Sequence, residues 1–244
     1  MYHDFIPLTL LALFVVAALY GAVGHGGASG YLAVMALAGF APEVLRPTAL
    51  TLNLVVSLMG TLLFFRSGKF QFHLFLPLIA ASIPFAYLGG TIKLASAQFH
   101  LLLAIALAFA AVRLLLPMRD TEIKQTVPIL GLLALGALIG LLSGLVGVGG
   151  GIFLTPVLIF LRWSDTRQAA AISAPFIFVN SLGGLVGQGT PWRHFPAMML
   201  WMIAAVVLGG ILGASWGSGR ARLLHLRYIL AGVLSIACFK LFVI

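Results

Sequence analysis

Two glycine clusters are the residues best placed to do chemistry in this chain. The first reads Gly21-Ala22-Val23-Gly24-His25-Gly26-Gly27-Ala28-Ser29-Gly30, the second Gly144-Leu145-Val146-Gly147-Val148-Gly149-Gly150-Gly151. Gly21, Gly24, Gly26 and Gly27 match Gly144, Gly147, Gly149 and Gly150 at a constant offset of 123. Glycine lets a backbone unwind and approach a ligand closely. A helix restarting after such a break presents amides without intrahelical acceptors, at the positive end of its dipole. That end is an anion site needing no buried cation. The restarts are expected near Gly27 and Gly150. The candidate substrate contacts are therefore Gly24, His25, Gly26, Gly27 and Ser29 in the first cluster, with Gly147, Gly149, Gly150 and Gly151 in the second. His25 is the one titratable side chain in either break; it adds charge for an anion when protonated and accepts a proton when neutral.

Polar residues on the segments after each break are the next candidates. Asn53 and Ser57, four apart, share a helix face, and Asn180 and Ser181 answer them in the second half. Interhelical hydrogen bonding is an equally good reading of these four. For Thr48, Thr51 and Ser173 interhelical bonding is the better reading, and their hydroxyls can also bond their own helix backbone. Leu88-Gly89-Gly90 and Leu208-Gly209-Gly210 read as packing notches. Arg113 and Lys240, near helix ends, are expected to snorkel to the interface. Trp163, Trp192, Trp201, Trp216 and Tyr87 read as interface anchors, with Trp192 and Gln188 also placed to gate the outer mouth.

The elements that must position these residues are membrane helices. Hydrophobic residues make up 62% of the chain and charged residues 8%, against roughly 25% charge in a soluble domain; mean hydropathy is +1.16. Ile6–Val23, Leu50–Phe65, Phe72–Ile92, Phe99–Leu116, Val127–Val146, Ala169–Val186, Phe195–Trp216 and Leu223–Ile244 each approach the length that crosses ~30 Å of hydrocarbon. Ala28–Phe40 and Ile152–Leu161, after the glycine clusters, are half that length. This gives ten helical segments, five per half. An odd number per half makes the halves inverted repeats, with their broken helices meeting near the midplane. The first repeat is 1–116, the linker 117–126 and the second repeat 127–244, all in one integral membrane domain. Asp4, Glu43, Asp120, Glu122 and Asp165 are all placed in loops, whereas a cation carrier is expected to keep an acid within a span. The charge pattern thus points to an anion.

Starting from one side and alternating, the opposite side receives Arg66, Lys69, Arg113, Arg119, Lys124, Arg162, Arg167, Arg220, Arg222 and Arg227. The starting side receives only Arg46, Lys93, Arg193 and Lys240. The positive-inside rule makes the richer side cytoplasmic and both termini periplasmic. The N-terminus lacks the positive n-region of a signal peptide, so its first helix is expected to be retained. The single Cys238 excludes an intrachain disulfide and reads as a packing residue.

The duplicated Gly-x-x-Gly-x-Gly-Gly-Gly element, in two inverted halves of a chain of this size, resembles the TauE/SafE sulfite-exporter family of bacterial inner-membrane proteins. The second cluster, with Thr155-Pro156, is the closer match; Ala28 and His25 stand in the first where Gly151 and Val148 stand in the second. The resemblance implies export of sulfite or an organosulfonate such as sulfoacetate, by alternating access. Proton-coupled uptake of another small anion is the alternative, with His25 as the proton group and a homo-oligomer open. An intramembrane enzyme is a distant third, because the spans hold no acid pair or Ser/His pair. No nucleic-acid partner, cofactor, metal site or catalytic residue is expected.

Overall fold

The computed structural model describes residues 6–23, 27–65, 70–116, 123, 126–189, 191–216 and 220–243. These form ten α-helices and one 3-10 turn, Pro191–His194, with no strand among the described residues. The helices are α1 Ile6–Val23, α2 Ala28–Leu37, α3 Pro42–Phe65, α4 Phe72–Thr91, α5 Ser96–Leu115, α6 Ile129–Val146, α7 Gly151–Phe160, α8 Thr166–Gly187, α9 Met199–Trp216 and α10 Arg220–Val243. Six of them, α3, α4, α5, α6, α8 and α10, carry stretches long and apolar enough to cross a membrane. The half-helices α2 and α7 have 10 residues each, about 15 Å. Many large apolar side chains, among them Leu130, Leu200 and Phe239, face outward, as lipid-facing surface does.

Small residues weld the helices. Carbonyls of Leu78, Ser82 and Ala86 on α4 lie where Cβ atoms on Gly136, Gly140 and Gly144 of α6 would stand. Both series advance by four, so α4 and α6 run parallel. Gly209 and Gly213 of α9 meet the Phe14 and Ala18 carbonyls of α1 in the same way, so α1 and α9 are parallel too. Gly89 and Gly209 thus fill packing notches, as the sequence suggested; Gly90 packs on the Gly184 carbonyl, while Gly210 has open space beside it. α3 and α8 run antiparallel, as do α5 and α10: Gly60 meets Ala174 and Leu50 meets Gly184 between α3 and α8. Between α5 and α10, Cys238 Sγ bonds the Ala104 carbonyl at 3.3 Å and Arg227 bonds that of Leu116.

The chain turns back at its second glycine break. Gly150 touches Ile139 of α6, and Trp163, just past α7, packs on Gly131 at the start of α6. α7 therefore returns to the end at which α6 began. Two expectations change. Trp163 is not an interface anchor: it is 7% exposed, in the core formed by α4, α6, α7 and α8, while Trp192, Trp201 and Tyr87 are exposed. The side chain of Trp216 lies outside the described residues. Glu43 is not in a loop, because α3 starts at Pro42 and carries it in its first turn. Pro47 falls inside that helix.

Candidate functional site

The second break is a tight loop of left-handed backbone. Gly147, Gly149 and Gly150 have φ of 86°, 76° and 83°, a region that L side chains avoid. Gly147 caps α6, its amide donating to the Ser143 carbonyl at 2.8 Å. Gly150 is the residue before α7, and no side chain caps that helix. Its first amides therefore remain available. The loop sits halfway along α3 and α8. Asn53 Nδ2 donates to the Gly147 carbonyl at 3.4 Å, and a Cβ on Gly149 would lie 3.0 Å from Asn53 Nδ2 and from Ser181 Oγ.

The first break restarts differently. Gly27 precedes α2 with φ −78° and no side-chain cap. The Tyr31 ring lies against it. Tyr20 at the end of α1 and Ser29 at the start of α2 share a hydrogen bond of 2.7 Å. Gly24, His25 and Gly26 lie outside the described residues.

Both restarts open onto one cavity of about 620 Å³. Ala28 and Tyr31 of α2 line it from one side, Val148, Gly151 and Thr155 from the other, and Ser57, Ser173 and Arg113 complete its polar wall. Thr155 and Ser173 are hydrogen-bonded at 2.7 Å. The remaining wall is mainly apolar, from Val56, Ala170, Ile177 and Val206. A glycine-broken pair of half-helices around an intramembrane cavity is the architecture of a transporter. The comparisons agree with it. The family model described as "Sulfite exporter TauE/SafE" matches residues 9–241.

The chain belongs to the TauE/SafE family. It is similar to a probable membrane transporter protein of Sinorhizobium fredii, 38% identical over 236 residues, covering 95% of this chain and 96% of the relative. A probable membrane transporter protein of Methanocaldococcus jannaschii is 42% identical over 55 residues, 22% of this chain and 20% of that protein. No solved structure matches. The protein is a multi-pass membrane transporter and not an enzyme.

Within this TauE/SafE chain the sequence candidates separate. Gly151 and Ser57 line the cavity. Gly147, Gly149 and Gly150 build the loop behind it, and Asn53 holds that loop. Asn180 donates to the Phe176 carbonyl of its own helix at 2.8 Å; its Oδ1 and the Ser181 hydroxyl are buried with no hydrogen-bond partner. Ser29 is held by Tyr20. Thr51 bonds the Pro47 carbonyl at 2.9 Å, the local bond open to its hydroxyl. Sequence reasoning missed Tyr20, Tyr31 and Arg113. Arg113 does not snorkel: it is 6% exposed, on the cavity wall near Tyr20. A cation inside a span is by itself a functional signal, hidden here by nearness to the end of α5. Lys240, near the end of α10, has a defined partner. Its ammonium donates to the Ala36 and Leu37 carbonyls at 3.3 and 2.8 Å, closing the C-terminus of α2.

Proposed function

We propose that this transporter exports a small sulfur-containing oxyanion, sulfite or an organosulfonate such as sulfoacetate, by alternating access. One observation carries the reading: two uncapped half-helix N-termini and a buried arginine face the same cavity. An oxyanion offers several acceptors at once, and amides and guanidinium are the donors that suit them. Gly27, Ser29, Ser57, Gly149, Gly150 and Gly151 form or back the site, and Arg113 supplies fixed charge; Gly24, His25 and Gly26 are carried as candidates on the sequence alone. Asn53 holds the second loop through the Gly147 carbonyl, Ser181 lies against Gly149, and Asn180 bonds its own helix behind them. The cavity is larger than an inorganic anion requires, and its apolar wall suits the carbon of an organosulfonate.

The two halves, 1–116 and 127–244, are read as inverted repeats joined by the linker 117–126. The antiparallel course of α3 against α8 and of α5 against α10 supports this, as does the match between the α4–α6 and α1–α9 contacts. Because those contacts join helices from opposite halves, the bodies that move are mixed bundles rather than sequence halves. The charge asymmetry supports an inner-membrane protein with periplasmic termini. Outward movement of one negative charge then gains about 2.3 kcal/mol per 100 mV, so export needs no ATP.

The experiment is efflux from proteoliposomes loaded in turn with sulfite, sulfate, thiosulfate, sulfoacetate and simple carboxylates, under an imposed potassium diffusion potential. Sulfur oxyanion efflux should quicken when the loaded side is negative. Flux that ignores voltage and follows a pH gradient would replace this reading with proton-coupled uptake, with His25 as the first group to test.

A further inference from the structure

A second cavity, of about 270 Å³, lies at the other end of the bundle. Three helices measure the separation. α3 lends Glu43 and Arg46 from its start to the small cavity, and Ser57 and Gly60 from its far half to the large one. α5 is split the same way between Phe99 and Arg113, and α8 between Gln188 just past its end and Thr166 at its start. Arg46 to Gly60 is about 21 Å along a helix. The cavities face opposite sides, and the second glycine loop lies between them.

Arg46 stands at that division. Although in the membrane domain and only 9% exposed, it is held by backbone carbonyls. Nε donates to Gly144 O at 2.9 Å, Nη1 to Ile92 O at 3.0 Å, and Nη2 to the oxygens of Gly89, Gly90 and Gly144 at 2.5, 3.0 and 2.6 Å. These are carbonyls that the ends of α4 and α6 leave without intrahelical donors, at the negative ends of their dipoles. Arg46 also abuts Gly147, so one side chain ties together α3, α4, α6 and the loop that backs the large cavity.

We infer that the small cavity is a second oxyanion site, a transit site on the face opposite the large cavity, and that Arg46 is both its anion contact and the closure between the two. The inference rests on the anion reading above. In the state described, carbonyls occupy the guanidinium and the passage is shut. A full negative charge makes stronger hydrogen bonds to guanidinium than a neutral carbonyl does. An oxyanion at this point therefore competes for the fork and loosens the tie between α3 and the α4–α6 pair. Lys93 on the cavity wall adds positive charge, and Glu43 offsets one of the two cations. Gln188 contributes a buried Nε2 donor with no protein partner.

The test uses the full-length protein in a Cys238→Ala background, with an impermeant maleimide applied to right-side-out or inside-out vesicles. Thr91→Cys reports on the small cavity and Val207→Cys on the large one. The two should label from opposite faces, and sulfoacetate should slow labelling of Thr91→Cys by about threefold or more. Arg46→Lys keeps the charge but loses the fork. It should cut flux about tenfold or more, leave sulfoacetate binding within about threefold, and open Val207→Cys to labelling from both faces. Labelling of both cysteines from the same face overturns the inference, and this holds even if Arg46→Lys fails to fold. Unchanged flux with one-sided labelling in Arg46→Lys also overturns it. If sulfoacetate neither binds nor protects while Arg46→Lys still opens the second face, the closure stands and the substrate reading fails.

Discussion

The two half-helices reach the same cavity by different means. α7 follows three glycines in left-handed backbone, and that loop is pinned by Asn53 and abuts Arg46. α2 follows Gly27 at an ordinary negative φ of −78°, with two buried tyrosines packed around its start. The second restart depends on a backbone conformation that only glycine adopts cheaply. At Gly27 the first depends on space beside the Tyr31 ring. Glycines aligned by sequence thus serve different physical needs, and substitutions should separate them.

The largest contrast is expected between Gly150 and Gly27. Gly150→Ala forces an L residue to φ 83° against Ile139 and Phe176, at a cost of about 1–2 kcal/mol for the backbone alone. It should abolish most of the flux with the protein still inserted, whereas Gly27→Ala should keep at least about half, because only the Tyr31 ring must shift. Proteoliposome flux normalised to membrane abundance measures both, and equal loss in the two variants would erase the distinction.

Next in size is Arg113 against Lys240. Removing a charged donor to an anion costs about 1.5–3 kcal/mol, so Arg113→Gln should raise the apparent KM about 10- to 100-fold. Lys240→Gln should leave KM unchanged and lower stability by about 1 kcal/mol, since its partners are the closing carbonyls of α2. Substrate titration and thermal unfolding in detergent separate the two.

Asn53→Ala should raise KM a few-fold, by about 1 kcal/mol or less, because it removes one long bond to the second loop. Asn180→Ala, whose amide bonds its own helix, should change KM less. The smallest effect belongs to the first restart: Tyr20→Phe removes the bond to Ser29 and should cost about 1 kcal/mol of stability, read as a lower unfolding temperature, with flux nearly intact.

Much of this architecture is legible in the sequence because bilayer length and glycine spacing are local signals. The apolar run Ile6–Val23 coincides with α1, and both half-helices lie where the glycine clusters put them. The apolar stretch of the third segment begins at Leu50 and Glu43 reads as a loop residue, yet α3 starts at Pro42 and takes in Glu43, Arg46 and Pro47. The helix continues through them because carbonyls from distant α4 and α6 accept the arginine, and carbonyls leave no mark in a sequence. Leu88-Gly89-Gly90 and Leu208-Gly209-Gly210 read as notches, but the sequence does not say which helix fills them. Arg113 and Trp163 were misread for one reason: proximity to a helix end suggests an interface until a neighbouring segment folds over it.

The pairing of α1 with α9 also sets a schedule for synthesis. Phe14 meets Gly209 only after roughly 200 further residues have been made, about 10–40 s at about 5–20 residues per second. During that interval α1 must persist in the bilayer without the surface it is shaped to fit. A nascent chain arrested before α9 should therefore expose α1 to membrane proteases and quality control, and a fragment ending at residue 116 should be degraded unless 127–244 is supplied in the same membrane.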